Sequence, residues 1–206
     1  MPWSLDLSEP QTLLDGAMTY YAQALSFSCA DQLFTSLNGE LPWTQESIMI
    51  YGRETLSPRL QAWHGDEGIS YRYSGKTFTT LPWTPSLVGL CHSINQAFGL
   101  KLNSVLANLY RDGQDSMGWH ADDEMELGSD PIIVSVSLGA ERDFAVRRIG
   151  EQRQAGKLAL AHGSLLVMEA GMQNRWQHSL PKRQGIKQPR INLTFREIVH
   201  SRISLP

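Results

Sequence analysis

The 206-residue chain is short of several things, and each shortage excludes something. It has two cysteines, Cys29 and Cys91, too few for a disulfide framework and not at metal-ligand spacing, so a reducing compartment is expected. Its longest apolar runs, around Ile132–Leu138 and Leu165–Met168, are strand-length and far below a membrane span. The start, Met-Pro-Trp-Ser-Leu-Asp, lacks the basic and apolar regions of a signal peptide, and a cytoplasmic protein is expected. The first 50 residues contain no Lys or Arg. With 18 basic and 21 acidic residues the net charge is −3, which argues against coating nucleic acid through bulk charge.

What is present is unevenly spread. Residues 1–50 carry six acids, residues 51–139 carry six bases against ten acids, and residues 140–206 carry twelve bases against five acids. A neutral-looking chain therefore has a basic C-terminal third. Apolar residues make up 41% of it, enough for a core, and the length favours a single domain over residues 1–206.

The periodicity changes along the chain. Leu13, Leu14, Ala17, Met18, Tyr21 and Leu25 recur at three- and four-residue steps, which predicts a helix early in the first forty residues. A shorter helix is expected over Ala30–Leu37, and a clear one over Pro85–Phe98, with Thr84 as its cap and Gly99 at its end. Strands are expected at Ser47–Tyr51 and Ile69–Tyr73. From Ser104 onward the pattern becomes short strands: Val105–Tyr110, Ile132–Leu138, Phe144–Ile149, Lys157–Ala161, Ser164–Met168 and Arg190–Ile198. Helices followed by six or more strands predict an α+β protein with a jelly-roll core, changing layer near residue 100.

Arg190-Ile-Asn-Leu-Thr-Phe-Arg196 is the most informative segment. As a strand it sends Ile191, Leu193 and Phe195 to one face and Arg190, Asn192, Thr194 and Arg196 to the other. Such a polar face usually meets solvent. Two guanidinium groups beside Asn and Thr also make a receptor for a carboxylate. His120-Ala-Asp122 is the second constellation: at i and i+2 on an extended segment both side chains can reach one metal ion. A third ligand is needed, and His64, His92, His162, His178 and His200 could each supply the second imidazole of a two-His-one-carboxylate site. The acids Asp122, Asp123, Glu124, Glu126 and Asp130 lack the alternation of a calcium loop. Asn108 and Tyr110 share one face of the preceding strand.

Together, Asn108-Leu-Tyr110, Gly113, Gly118, His120-Ala-Asp122-Asp-Glu124, Ser135-Val-Ser-Leu-Gly139, Arg142-Asp-Phe144, His162-Gly-Ser-Leu-Leu166, His178-Ser-Leu-Pro181 and Arg190 to Arg196 run in order through most of residues 105–197. This series resembles the AlkB family of iron- and 2-oxoglutarate-dependent dioxygenases. Ile50-Tyr51-Gly52, Pro58-Arg59, Gly65-Asp66 and Tyr71-Arg-Tyr73-Ser74-Gly75 are similar to the lid of its DNA-repair branch.

The resemblance implies a double-stranded β-helix with N-terminal helices and a nucleotide-recognition lid within about residues 1–100, and the jelly-roll catalytic core over 101–206. It implies Fe(II) on His120, Asp122 and His178, with 2-oxoglutarate and O₂ as co-substrates. Arg190, helped by Tyr110, would hold the distal carboxylate, and Asn108, Asn192, Thr194 and Arg196 would complete that pocket. A flipped base would lie between Tyr73 and His120, with Ser74 nearby and Asp123 and Glu124 reading its polar edge. Tyr51, Arg59, Tyr71, Lys182 and Arg183 would contact nucleic acid. The implied reaction couples decarboxylation of 2-oxoglutarate to hydroxylation of an N-methyl group, with loss of formaldehyde. Its substrate would be alkylated DNA carrying 1-methyladenine or 3-methylcytosine, with RNA or single strands as the alternative, and a protein or small molecule as a further one. A monomer without membrane contact is expected. The sequence departs from its relatives at Ala121 and at Lys182-Arg183-Gln184-Gly185, where only part of a basic run is present.

Overall fold

The alternation along residues 104–196 closes into two facing antiparallel sheets. A computed structural model describes residues 3–50, 53–73 and 76–199. Its elements in order are β1 (Gln11–Leu13), β2 (Met18–Tyr21), α1 (Phe27–Glu40), β3 (Ser47–Ile50), β4 (Arg53–Leu56), β5 (Leu60–Gly65), β6 (Ser70–Tyr73), β7 (Lys76–Thr79) and α2 (Pro85–Phe98). The second half adds β8 (Ser104–Tyr110), β9 (Met117–His120), β10 (Ile133–Gly139), β11 (Arg142–Arg148), β12 (Gly156–Leu160), β13 (Ser164–Met168), β14 (Trp176–Leu180) and β15 (Arg190–Arg196). The larger sheet has the order β1-β2-β13-β10-β15-β8-β5 and the smaller β12-β11-β14-β9. Two hairpins, β3–β4 and β6–β7, stand apart from both.

The outer face of the larger sheet is apolar. Val105, Ala107, Leu109, Val134, Val136, Leu138, Ile191, Leu193 and Phe195 are all buried there against α1 and α2. Both helices begin as local chemistry dictates. The Ser26 hydroxyl accepts from the Cys29 amide, and the Thr84 hydroxyl from the Leu87 amide, with Pro85 in the first turn of α2. Gly99 ends α2 in the left-handed region at φ 66°. The space between the sheets holds a second cluster that includes Met18, Tyr20, Phe144, Val146, Leu166 and Met168.

Two expectations need correction. The helix expected through Leu13–Leu25 is instead the hairpin β1–β2. Leu14 and Asp15 take φ of 52° and 54° and Gly16 follows at 88°, a left-handed turn that no helix contains. Met18 and Tyr20 face inward by strand alternation, which mimics helical spacing over so short a stretch. The change of layer near residue 100 is not respected either, because β1, β2 and β5 all join the larger sheet.

One end of the barrel is laced shut by backbone. The Gly113 amide donates to the Ile186 carbonyl, and the Arg183 amide to the Gly113 carbonyl. A Cβ at Gly113 would lie 1.7 Å from the Arg183 carbonyl oxygen. Arg142, 2% exposed, fills this end and donates to the carbonyls of Asp112, Asp115 and Pro181. Burial pulls its guanidinium pKa down, against opposing pulls from Tyr110 and Asp115.

Candidate active site

His120 ends β9 and pairs directly with His178 on β14, so both imidazoles enter the barrel from the smaller sheet. Asp122 lies two residues beyond β9, 3% exposed. His120 Nε2 is 4.0 Å from Asp122 Oδ1, and His178 Nε2 is 3.9 Å from Asp122 Oδ2. These separations are too long for hydrogen bonds and suit three ligands around one cation, all ligand atoms falling within 4.8 Å of one another. Among the described residues it is His178 that the fold brings there, and not His64, His92 or His162; His200 lies outside the described residues.

The surroundings orient each ligand. His120 Nδ1 lies 2.9 Å from the Gly118 carbonyl, so Nδ1 carries the proton and Nε2 offers its lone pair. The His178 ring stacks on Phe144 at 5.0 Å. The Asp122 amide donates to the buried Gln173 Oε1, and Arg196 donates to Asp122 Oδ1 at 2.8 Å. Burial would raise the Asp122 carboxyl pKa, but Arg196 and the two imidazoles hold it down at about 2. Burial, and next the adjacent His120, push His178 down to about 3. At neutral pH the ligands are therefore an anion and a neutral imidazole, the forms a metal requires.

Facing them, the inner side of the larger sheet presents polar residues in register. Arg190 lies opposite Tyr110, Asn192 opposite Asn108, and Thr194 opposite Leu106. On the other flank of β15, Ser137 and Ser135 face Asn192 and Thr194. Arg190 donates to the Ser137 hydroxyl and to Asn192 Oδ1, Ser135 donates to Asn192 Oδ1, and Asn192 donates to Thr194. Arg190 is 1% exposed, and burial lowers its pKa to about 10, leaving it charged at neutral pH. Its Nε is buried without a partner among the described residues. A buried cation with a spare donor fits an anionic group bound in this pocket, and the three-ligand cluster fits a divalent ion.

A narrow pocket joins the two halves. Its lining includes Asn108, Tyr110, Arg190, Asn192, Thr194 and Arg196 together with all three metal-ligand residues. Ser135, Ser137 and Gln173 were not read from the sequence as contributors. The strand alternation of Ser135-Val-Ser137 was the available signal, and for Gln173 there was none.

Other expected site residues fall elsewhere. Asp123 is exposed and lines an adjoining cleft of about 340 Å³ with Met125, Ser129 and Asn174, and Glu124 precedes a single 3-10 turn at Met125–Leu127. Lys182 is exposed. Arg183 is ion-paired with Asp143, which also attracts Lys157 at 3.6 Å, so its charge is already shared. Arg59 is 7% exposed and donates to Asn108 Oδ1 in the barrel wall. Tyr51, Ser74 and the side chains of Tyr71 and Tyr73 lie outside the described residues.

Residues 17–196 match the family model described as the 2OG-Fe(II) oxygenase superfamily. The DNA oxidative demethylase ALKBH2 of Mus musculus is 40% identical over 180 residues, covering 82% of this chain and 75% of that one. The chain belongs to the AlkB family. The alpha-ketoglutarate-dependent dioxygenase alkB homolog 3 of Bos taurus is 41% identical over 178 residues, covering 82% of this chain and 62% of its own length. Among solved structures, that of OsALKBH1 superposes with a TM-score of 0.63 over 94% of this chain and 99% of the other, at 17% identity, a likeness of fold. The 2OG-Fe(II) oxygenase superfamily is named for Fe(II) and 2-oxoglutarate, and the His120–Asp122–His178 cluster and the Arg190 pocket fit a divalent ion and an anionic group. Among the described residues no helix is long and apolar enough to cross a membrane.

Proposed function

We propose that the protein oxidatively demethylates N-alkylated bases in DNA, of the 1-methyladenine and 3-methylcytosine type, with release of formaldehyde, succinate and CO₂. The observation that carries this is one pocket holding both the His120–Asp122–His178 cluster and the Arg190 receptor, in a chain about 40% identical to a named DNA oxidative demethylase. Iron, when bound, supplies the redox centre at which O₂ and 2-oxoglutarate react. The rest is the work of side chains. Arg190 and Tyr110 take the distal carboxylate of 2-oxoglutarate, with Asn108, Asn192 and Thr194 beside it. Arg196 keeps Asp122 ionised and fixed as a ligand. Phe144 and the apolar wall exclude water from the ligand shell.

A base must leave its stack to reach such a site. In this reading Tyr73 and His120 flank it, Ser74 adjoins it, and Asp123 and Glu124 accept from its exocyclic amino group. Tyr51, Tyr71 and Lys182 contact the strand. In this reading the protein acts as a monomer, inside the cell where nucleic acid is found. A second reading, the same chemistry chiefly on single strands or RNA, is favoured by the Arg183–Asp143 pair, which weakens the basic run available to grip a duplex.

The test is turnover on single-stranded DNA, duplex DNA and RNA, each carrying one methylated base. Formaldehyde and succinate in equal amounts are expected, fastest from DNA. Neither product from any of the three would sink the base-repair reading, and a preference for RNA would replace it with the second.

A further inference from the structure

We infer that Arg59 and Gln61 are positioning residues for the co-substrate, acting through Asn108. This rests on the dioxygenase reading above and adds two residues from β5 and its approach to the 2-oxoglutarate site.

Gln61 lies in register with Asn108 across the β5–β8 pair, and Arg59 immediately precedes β5. Arg59 Nε donates to Asn108 Oδ1 at 2.9 Å, and Gln61 Nε2 donates to the same oxygen at 3.1 Å. A guanidinium has donors and no acceptor, so the Asn108 atom facing it must be the carbonyl oxygen. The orientation of the carboxamide is thereby decided by chemistry: oxygen toward β5, NH₂ toward the pocket. Turned the other way, Asn108 would offer a lone pair to an anionic co-substrate. Turned as it is, it adds donors to those of Arg190.

Arg59 is itself held from behind. Its Nη1 reaches the Ser116 carbonyl at 3.5 Å, and the Ser116 amide donates to the Pro58 carbonyl at 3.0 Å. Ser116 immediately precedes β9, the strand that ends in His120. Arg59 thus spans from the approach to a metal-ligand strand to the co-substrate wall, at the point where the β3–β4 hairpin rejoins the barrel.

The experiment is titration of 2-oxoglutarate into the Mn(II)-loaded full chain by calorimetry, without nucleic acid. Arg59→Met should raise the Kd about tenfold and Gln61→Leu about threefold, the range for loss of a hydrogen bond supporting a charged group. In an Asn108→Ala background Arg59→Met should add nothing further, because its route is gone. Arg59→Lys, which keeps a donor, should recover part of the affinity. An unchanged Kd in Arg59→Met, or a loss that persists in full beside Asn108→Ala, would overturn the inference. The second result would mark Arg59 as acting by charge alone. Should Arg59→Met fail to fold, Gln61→Leu decides: an unmoved Kd there overturns it equally. A parent protein that does not bind 2-oxoglutarate would instead sink the dioxygenase reading, with this inference following it.

Discussion

The two faces of the larger sheet are built from the same strands and do opposite work. Along β15, Ile191, Leu193 and Phe195 are fully buried against helices, while Arg190, Asn192, Thr194 and Arg196 turn into the barrel. The outer face needs volume and apolarity alone, and many sequences could supply those. The inner face needs particular donors at particular levels, because each buried polar group must find its partner two residues away or across one strand. The contrast teaches that one strand can carry stability and chemistry at once, separated only by the parity of residue number.

The largest effect is expected across the barrel from that inner face, on the smaller sheet. His178→Ala removes a metal ligand, so turnover should fall to background while a far-ultraviolet spectrum stays that of the parent. Retained activity would remove His178 from the ligand set. Next, a pair of β15 variants should separate cleanly. Arg190→Met should raise the KM for 2-oxoglutarate by roughly 10- to 150-fold, the loss of one or more bonds to a charged group. Its counterpart of opposite parity, Leu193→Ala, should lower stability by about 2–5 kcal/mol with the KM unmoved. Both effects in both variants would erase the distinction between faces. The smallest effect concerns pH. In the metal-free protein His178 stays neutral down to about 3, whereas an unfolded histidine protonates near 6.5. Between those values the unfolded chain binds the extra proton, so stability should fall as pH is lowered. Asp122, depressed to about 2, extends the same trend below 3.8. A melting temperature flat from pH 6.5 to 4 would contradict this.

The sequence spoke clearly where periodicity and chemistry agreed. The parity of β15 and the capped span of α2 could be read directly, because a cap, a proline and a glycine mark α2 and alternation marks β15. Gln61 and Gln173 carry no local signal, since which partner a polar side chain meets is set by strands distant in sequence. The bond from Arg59 to Asn108 is hidden in the sequence for the same reason. In the β1–β2 hairpin the local turn signal Asp15-Gly16 prevails over a helical spacing that two short strands reproduce. β9 and β14, which carry both histidine ligands, lack the β-branched apolar residues that mark core strands such as β10 and β15.

Gly113 has a consequence at the level of the gene. With the Arg183 carbonyl 1.7 Å from where a Cβ would stand, every substitution there must push apart the turn and the loop that close the barrel end. Any change to the first or second base of a glycine codon introduces a side chain or a stop. This codon therefore tolerates drift only at its third base, and a population screened for working enzyme should show silent changes there and no others.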